Sequence, residues 1–328
     1  MHVELPTSSE GLVVLRNRAT GEYVELEPAH GGAVRQIALL DHSSSPPTLL
    51  PLLQNGPGLR LTFGGQRQPS HTRMHQIPWP NRVRDGKYKL ADGRSYEGLP
   101  INEPFPRHTS LHGLLYDRPM TTASYEDAAG DSTASVTFVH HLDGSDAGYP
   151  FKVKVELTYR LISAPGKQTR MECVQRGHGG GSVSTGWHPY IRLPAKSIDT
   201  LRMTMEAGET YIVDEQMIPV GSESWPGMDD DLLAGKKFDS GFRFAELSQE
   251  SGGIHRTLLC DREARVTLVL WQDRSFPCFQ IYTPDTRDSI ALEPMSHATN
   301  GFNTNDYSLL QPGASTPGFK GTYGVYLQ

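Results

Sequence analysis

The chain is short of cysteine, of long apolar runs and of positive charge, and each shortage removes a class of protein. Its three cysteines, Cys173, Cys260 and Cys278, are odd in number, far apart and without a Cys-x-x-Cys pair. That pattern suits neither a disulfide framework nor a structural zinc site, and it makes a reduced, cytoplasmic compartment the default expectation. No apolar run approaches the ~20 residues that cross a bilayer as a helix, so no membrane partner is expected. The stretch from Met1 to Leu15 carries Glu4 and Glu10, has only Leu12 to Leu15 as an apolar run, and does not read as a signal peptide. With 31 basic against 37 acidic residues the net charge is −6, so no basic face for nucleic acid is expected. Helical patterning is scarce as well. Only Pro226 to Gly235 and Thr48 to Gln54 suggest a turn or two of helix.

What the chain does have is turn formers and period-two strands. Its 33 glycines and 24 prolines make up about 17% of the 328 residues, against ~12% in an average protein. The strongest periodic segment is Phe151-Lys-Val153-Lys-Val155-Glu-Leu157-Thr-Tyr159-Arg-Leu161, which gives one buried and one wet face. Ser135 to Val139 is a second strand, joined to the first as a hairpin by the loop from Asp143 to Pro150. Arg265 to Trp271 reads as a strand buried on both faces. Phe279 to Thr283, Asp288 to Leu292 and Thr322 to Leu327 follow the same pattern. Strands thus arrive from beginning to end, with no linker and no fixed-period repeat. An all-β fold is predicted, a large antiparallel β-sandwich in one domain over 1–328.

Several polar clusters look like chemistry and are better read otherwise. Gly177 to Gly181 lacks the strand–loop–helix context and the Lys-Ser/Thr of a phosphate loop, and is expected to be a flexible loop. His108 and His112 stand four apart, but Pro104 and Pro106 make a helix there improbable. His140 and His141 alternate across a strand and cannot face one ion. Asp229 to Asp231 lacks the alternating spacing of a calcium loop and reads as a solvated turn or helix start.

Other polar residues sit at strand ends. His112 lies in Leu111-His112-Gly113, His188 in Trp187-His188-Pro189-Tyr190, and Glu293 in Leu292-Glu293-Pro294. A proline after His188 and after Glu293 restricts each to extended backbone, which gives its side chain a defined direction. Taken singly, each reads as a satisfied structural histidine or a solvated glutamate.

Together they resemble the aldose 1-epimerase family, the galactose mutarotases. Pro80-Asn81-Arg82-Val83-Arg84-Asp85-Gly86-Lys87-Tyr88 is similar to the family's ANRI…G-x-F segment, and Leu111-His112-Gly113 to its first His-Gly motif. Trp187-His188-Pro189-Tyr190-Ile191-Arg192-Leu193 resembles H-[PST]-Y-F-x-L, with Ile191 where the motif has Phe. Val213-Asp214 to Gly221 resembles D…IP-x-G, and Phe279-Gln280-Ile281-Tyr282-Thr283 resembles QFYT. Leu292-Glu293-Pro294 with Phe302-Asn303 resembles EP…FN, and Gly31-Gly32-Ala33-Val34 matches an early glycine turn. The matches keep the family's order over residues 31–303.

The resemblance implies the galactose mutarotase-like supersandwich and the interconversion of α and β anomers of a free sugar, without a cofactor or metal. Carried over by motif, Glu293 is the general base and His188 the general acid, with His112 hydrogen-bonding near the ring oxygen. Asn81, Arg82, Asp239 and Gln280 would bind the substrate, while Asp214 reads as a structural turn residue. Trp187 and Tyr190 are candidates for an aromatic platform or for plain core. A carboxylate starts near pKa ~4.3 and an imidazole near ~6.5, so at neutral pH the base is expected to be ready, with carboxylates holding the acid protonated.

A hexose-6-phosphate 1-epimerase would show an RGG-x-P…P-x-FG segment, which is absent here. A glycosidase would need a carboxylate partner for Glu293. A sugar-binding relative without turnover is the third alternative. The expected partner is a small-molecule sugar, and either a monomer or a homodimer fits a chain with edge strands.

Overall fold

The alternating segment forms the strand Lys152–Ile162, and it pairs antiparallel with Thr133–Asp143. Val136 faces Tyr159 and Phe138 faces Leu157 across that hairpin, all four buried. Each such side chain removed from water contributes about 1.5–3 kcal/mol, so period two fixes which face of the sheet turns inward. The computed structural model describes residues 1–6, 11–54, 62–63, 66–67, 74–127, 133–164, 167–246 and 252–328. Glu10, cited above against a signal peptide, lies outside them.

Two large antiparallel sheets carry the fold. One runs, in spatial order, Thr121–Asp127, Thr133–Asp143, Lys152–Ile162, Arg170–Gly179, Phe319–Leu327, Val266–Asp273, Ile254–Asp261, Arg202–Met205 and Met228–Leu232. The other runs Pro219–Trp225, Gly208–Val213, Asp239–Phe244, Cys278–Tyr282, Ile290–Met295, Gly186–Trp187 and His75–Gln76, with Tyr190–Ile191 also paired to Ile290–Met295. A third sheet holds the N-terminal strands His2–Glu4, Val13–Arg16, Tyr23–Glu27, Ala33–Asp41 and Thr48–Pro51. The two large sheets meet through side chains. Trp187 stacks on Tyr323 at 5.0 Å, and Phe244 on His255 at 4.5 Å. The predicted all-β sandwich is what the chain forms.

Local readings failed where pairing decided the outcome. Thr48 to Gln54 holds the strand Thr48–Pro51, paired with Ala33–Asp41, and no helix. Pro226 to Gly235 likewise holds the strand Met228–Leu232. Asp229 to Asp231 therefore sit in a strand against Arg202–Met205, where Arg202 and Arg262 bind the Asp230 carboxylate. Gly177 to Gly181 is no loose loop either. It ends the strand Arg170–Gly179 and starts Gly181–Val183, and a Cβ on Gly181 would sit 2.4 Å from the Phe151 ring. Ladder hydrogen bonds with distant strands outweigh weak local preference in each case.

Among the described residues no helix is long and apolar enough to cross a membrane, and the single α-helix is Gly301–Thr304. Cys173, Cys260 and Cys278 are free thiols.

Candidate functional site

Strand register gathers the motif residues on one face of the second sheet. Gln280 on Cys278–Tyr282 lies opposite Glu293 on Ile290–Met295. On the next strand Gly241 faces Gln280, and Asp239 stands two residues along on the same side. Beyond Glu293, Gly186 pairs with both Met295 and Gln76. His188 follows that strand directly, and its backbone N–H bonds to the Met74 carbonyl across 3.0 Å.

The loops Pro78 to Asn81 and His112-Gly113 meet this face at Gln76. Both Asn81 and His112 adopt left-handed backbone, with φ of 53° and 64°, and the His112 N–H bonds to the Asn81 carbonyl. Non-glycine residues rarely hold that conformation unless their surroundings impose it. Gly113 has no alternative: a Cβ there would stand 2.3 Å from the Ile77 carbonyl oxygen.

His188 Nε2 and Glu293 Oε1 are 3.3 Å apart, and both side chains are almost fully buried. Gln76 Nε2 donates to the other Glu293 oxygen at 2.8 Å, while Gln76 Oε1 accepts from the Asn81 N–H at 2.6 Å and contacts His112 Nδ1 at 3.0 Å. The His112 ring meets His188 edge-on, with centroids 5.1 Å apart. Behind His188, Tyr190 stacks at 5.0 Å.

Burial pushes the Glu293 carboxyl well above the usual carboxylate range, and the nearby Asp239 adds to that rise. The Gln76 N–H and the Arg82 charge pull it back. The expectation of a base with ordinary acidity therefore needs correction: desolvation dominates here.

Arg82 is also held. Its Nε and Nη2 grip Glu103 at 2.7 and 3.0 Å, and its Nη1 donates to Asn81 Oδ1 at 2.9 Å. Glu103 further accepts from Arg107 and from the Thr109 hydroxyl. Burial alone would raise the Glu103 carboxyl, but Arg82, Thr109 and Arg107 together hold it below its ordinary value. At the more exposed end, Asp239 Oδ1 accepts from Gln280 at 3.1 Å, and Arg107 stands 3.8 Å from its Oδ2.

All seven residues singled out in the sequence thus fall in one connected cluster. Of the two aromatic candidates, Trp187 leaves it as fully buried core against Tyr323, while Tyr190 borders it, fully buried and stacked behind His188. His108 turns away to Asp85. The sequence reading missed Gln76, Glu103 and Arg107. Gln76 belongs to no motif, and the one available signal for Glu103 was chemical: a buried arginine needs a carboxylate.

The model of the family described as aldose 1-epimerase matches residues 61–318. The Escherichia coli K12 protein YihR, itself uncharacterized, is 27% identical over 258 residues, covering 78% of this chain and 80% of that protein. A galactose mutarotase-like protein from Clostridium acetobutylicum superposes with a TM-score of 0.74 at 17% identity, covering 99% of this chain and 98% of that one. The GalM/aldose epimerase homologue from C. elegans gives 0.75 at 17% identity, covering 97% and 98%. At that identity the structures speak for the fold alone, whereas the family model spans most of the sequence, and on that ground the chain belongs to the aldose 1-epimerase family.

Proposed function

We propose that the protein interconverts the α and β anomers of a free aldose, with Glu293 as general base and His188 as general acid. The observation that carries this reading is the buried Glu293–His188 pair at 3.3 Å. The C1 hydroxyl and the ring oxygen share one carbon, so an acid and a base side by side can serve both. Glu293 takes the C1 hydroxyl proton, the C1–O5 bond breaks as the C1 carbonyl forms, and His188 gives a proton to O5. Rotation about C1–C2 presents the other carbonyl face, and the same two groups run in reverse to close the ring.

Burial supports the assignment in two ways. A carboxylate raised by desolvation is a stronger base once ionised, and a proton shared with the adjacent imidazole is available to leave as the acid's. Arg82 and Asn81 are suited to oxygen bearing negative charge, and Asp239 with Gln280 to ring hydroxyls. His112 completes the polar wall.

Mutarotation is the test. Pure α-anomers of glucose, galactose, xylose and a hexose 6-phosphate are followed by optical rotation with and without protein. Acceleration of a free sugar, lost by about 10²–10⁴-fold in Glu293→Gln, supports the reading. Acceleration confined to the phosphate ester replaces it with a hexose-6-phosphate 1-epimerase. Binding without acceleration replaces it with a carbohydrate-binding relative.

A further inference from the structure

The Gln76 carboxamide can take only one orientation. A backbone N–H can only donate, and that of Asn81 lies 2.6 Å from Gln76 Oε1, so this atom is the carbonyl oxygen. The other atom is the NH2 group, and it donates to Glu293 Oε2. The same carbonyl oxygen is 3.0 Å from His112 Nδ1. Two acceptors cannot share that contact, so Nδ1 carries a proton, and in the neutral ring Nε2 is the acceptor.

We propose that Gln76 is the positioning residue of this site: through Nε2 it orients the Glu293 carboxylate, and through Oε1 it fixes His112 as the Nδ1–H tautomer. The catalytic consequence rests on the mutarotase reading above. In that tautomer a neutral His112 accepts a hydrogen bond from a sugar hydroxyl, and donation to the ring oxygen falls to His188.

The backbone supports this division of labour. Successive residues of a strand point to opposite faces, so His75 turns away from the site as Gln76 turns into it. His75 is locked there by Tyr159, by Gln175 at 2.8 Å and by Tyr323 at 3.1 Å. Gln76 is thereby mounted on an immobile strand, and the left-handed Asn81 aims its N–H at the carbonyl.

Glu293 is faced by His188, Tyr190, Asp239 and Arg82, each on a neighbouring element, besides Gln76. A hydrogen bond from Gln76 favours the ionised carboxylate, so its loss moves Glu293 titration to higher pH.

The test uses the full-length chain, Gln76→Met, which keeps the length and removes both polar contacts, and Gln76→Glu, which keeps only the acceptor. In Gln76→Met, kcat at neutral pH is expected to fall about tenfold or more with KM little changed, and the base limb of the pH profile to move upward. Long-range proton–nitrogen spectra of the imidazoles should lose the Nδ1–H pattern of His112. Gln76→Glu should retain that pattern and still shift the limb. A pH profile and an imidazole pattern that superpose on those of the unaltered protein in both variants overturn the proposal. If Gln76→Met fails to fold, Gln76→Glu decides by its limb alone. Should the unaltered protein accelerate no sugar, the function reading fails. The His112 pattern and the carbon-detected titration of Glu293 then still decide the role of Gln76, since neither needs turnover.

Discussion

His75 and Gln76 are adjacent in sequence, both fully buried, and hold two polar clusters on opposite sides of one strand. On the inner side every bond closes within the protein. His75 joins Tyr159, Gln175 and Tyr323, Tyr159 donates to the Gly32 carbonyl, and Thr185 donates to Gln175. These bonds tie the two sheets together. Burial pushes the His75 imidazole down to about 3, so it stays neutral in the folded protein. On the outer side, Gln76 donates to the Glu293 carboxyl, which is pushed up by the same burial and stands 3.3 Å from the His188 imidazole. A closed polar network of neutral groups specifies structure. One that keeps two ionisable groups within reach of each other stores the means to move a proton.

The sharpest separation of the two clusters comes from removing the Glu293 carboxyl, the base of the proposed reaction. Glu293→Gln should cost turnover the 10²–10⁴-fold stated above while leaving thermal stability unchanged or slightly raised, because it replaces a desolvated ionisable group with a neutral one of the same shape. His188→Asn should do nearly the same. Turnover near that of the unaltered protein in either variant would mean that the outer cluster, too, is only structural.

Arg82→Ala should blur the comparison by damaging both properties. It removes a cation from the site and leaves the buried Glu103 carboxylate with Arg107 and Thr109 alone. A loss of about 3 kcal/mol in unfolding free energy is expected, together with a higher KM and a lower kcat. Unchanged kinetics with lowered stability would move Arg82 into the scaffold.

How far the sequence could be read follows the same division. Strands such as Lys152–Ile162 were legible because period two is a property of the segment itself. Met228–Leu232 was not, since its Asp-rich stretch becomes a strand only by pairing with Arg202–Met205. His112, His188 and Glu293 could be singled out from short motifs, although Glu293, expected at a strand end, lies within the strand Ile290–Met295. The cluster they form depends on strand register that brings together residues as far as 217 positions apart in the chain, which no local pattern encodes. Gln76 and Glu103 escaped for that reason. Nothing in their immediate neighbours announces that each will meet a motif residue after folding. The upward shift of the Glu293 carboxyl was equally hidden, because burial is a property of the whole fold.

His75→Leu probes the inner cluster. Tyr159 and Gln175 each keep another partner, so the expected cost at neutral pH is moderate, about 1–3 kcal/mol. The sign of its pH dependence is definite. A histidine held near 3 in the folded protein and near ~6.5 in the unfolded chain binds its proton more readily when unfolded. Its contribution is therefore fully present above about pH 6.5 and declines as pH falls toward 3, by up to ~1.4 kcal/mol per unit. The stability gap between His75→Leu and the unaltered protein should accordingly narrow on acidification. A gap that is constant from pH 7 to pH 4 would show that His75 is not held neutral.

The smallest effect is expected at Asp214, the motif residue read as a turn former. Its Oδ1 accepts from the backbone N–H groups of Gln216 and Ile218 at 2.9 and 3.0 Å, and its other oxygen pairs with Arg84. Solvent reaches both partners of that ion pair, so it is worth at most about 1 kcal/mol. Asp214→Ala should lower thermal stability slightly through loss of the turn bonds and leave mutarotation within about twofold. Arg84 is nevertheless two residues from Arg82, and Gln216 contacts both Arg84 and the Arg107 carbonyl. A tenfold fall in kcat/KM for Asp214→Ala would therefore mean that this solvent-facing turn transmits its order to the Arg82–Glu103–Arg107 group, and that the border of the site lies further out than the buried residues mark.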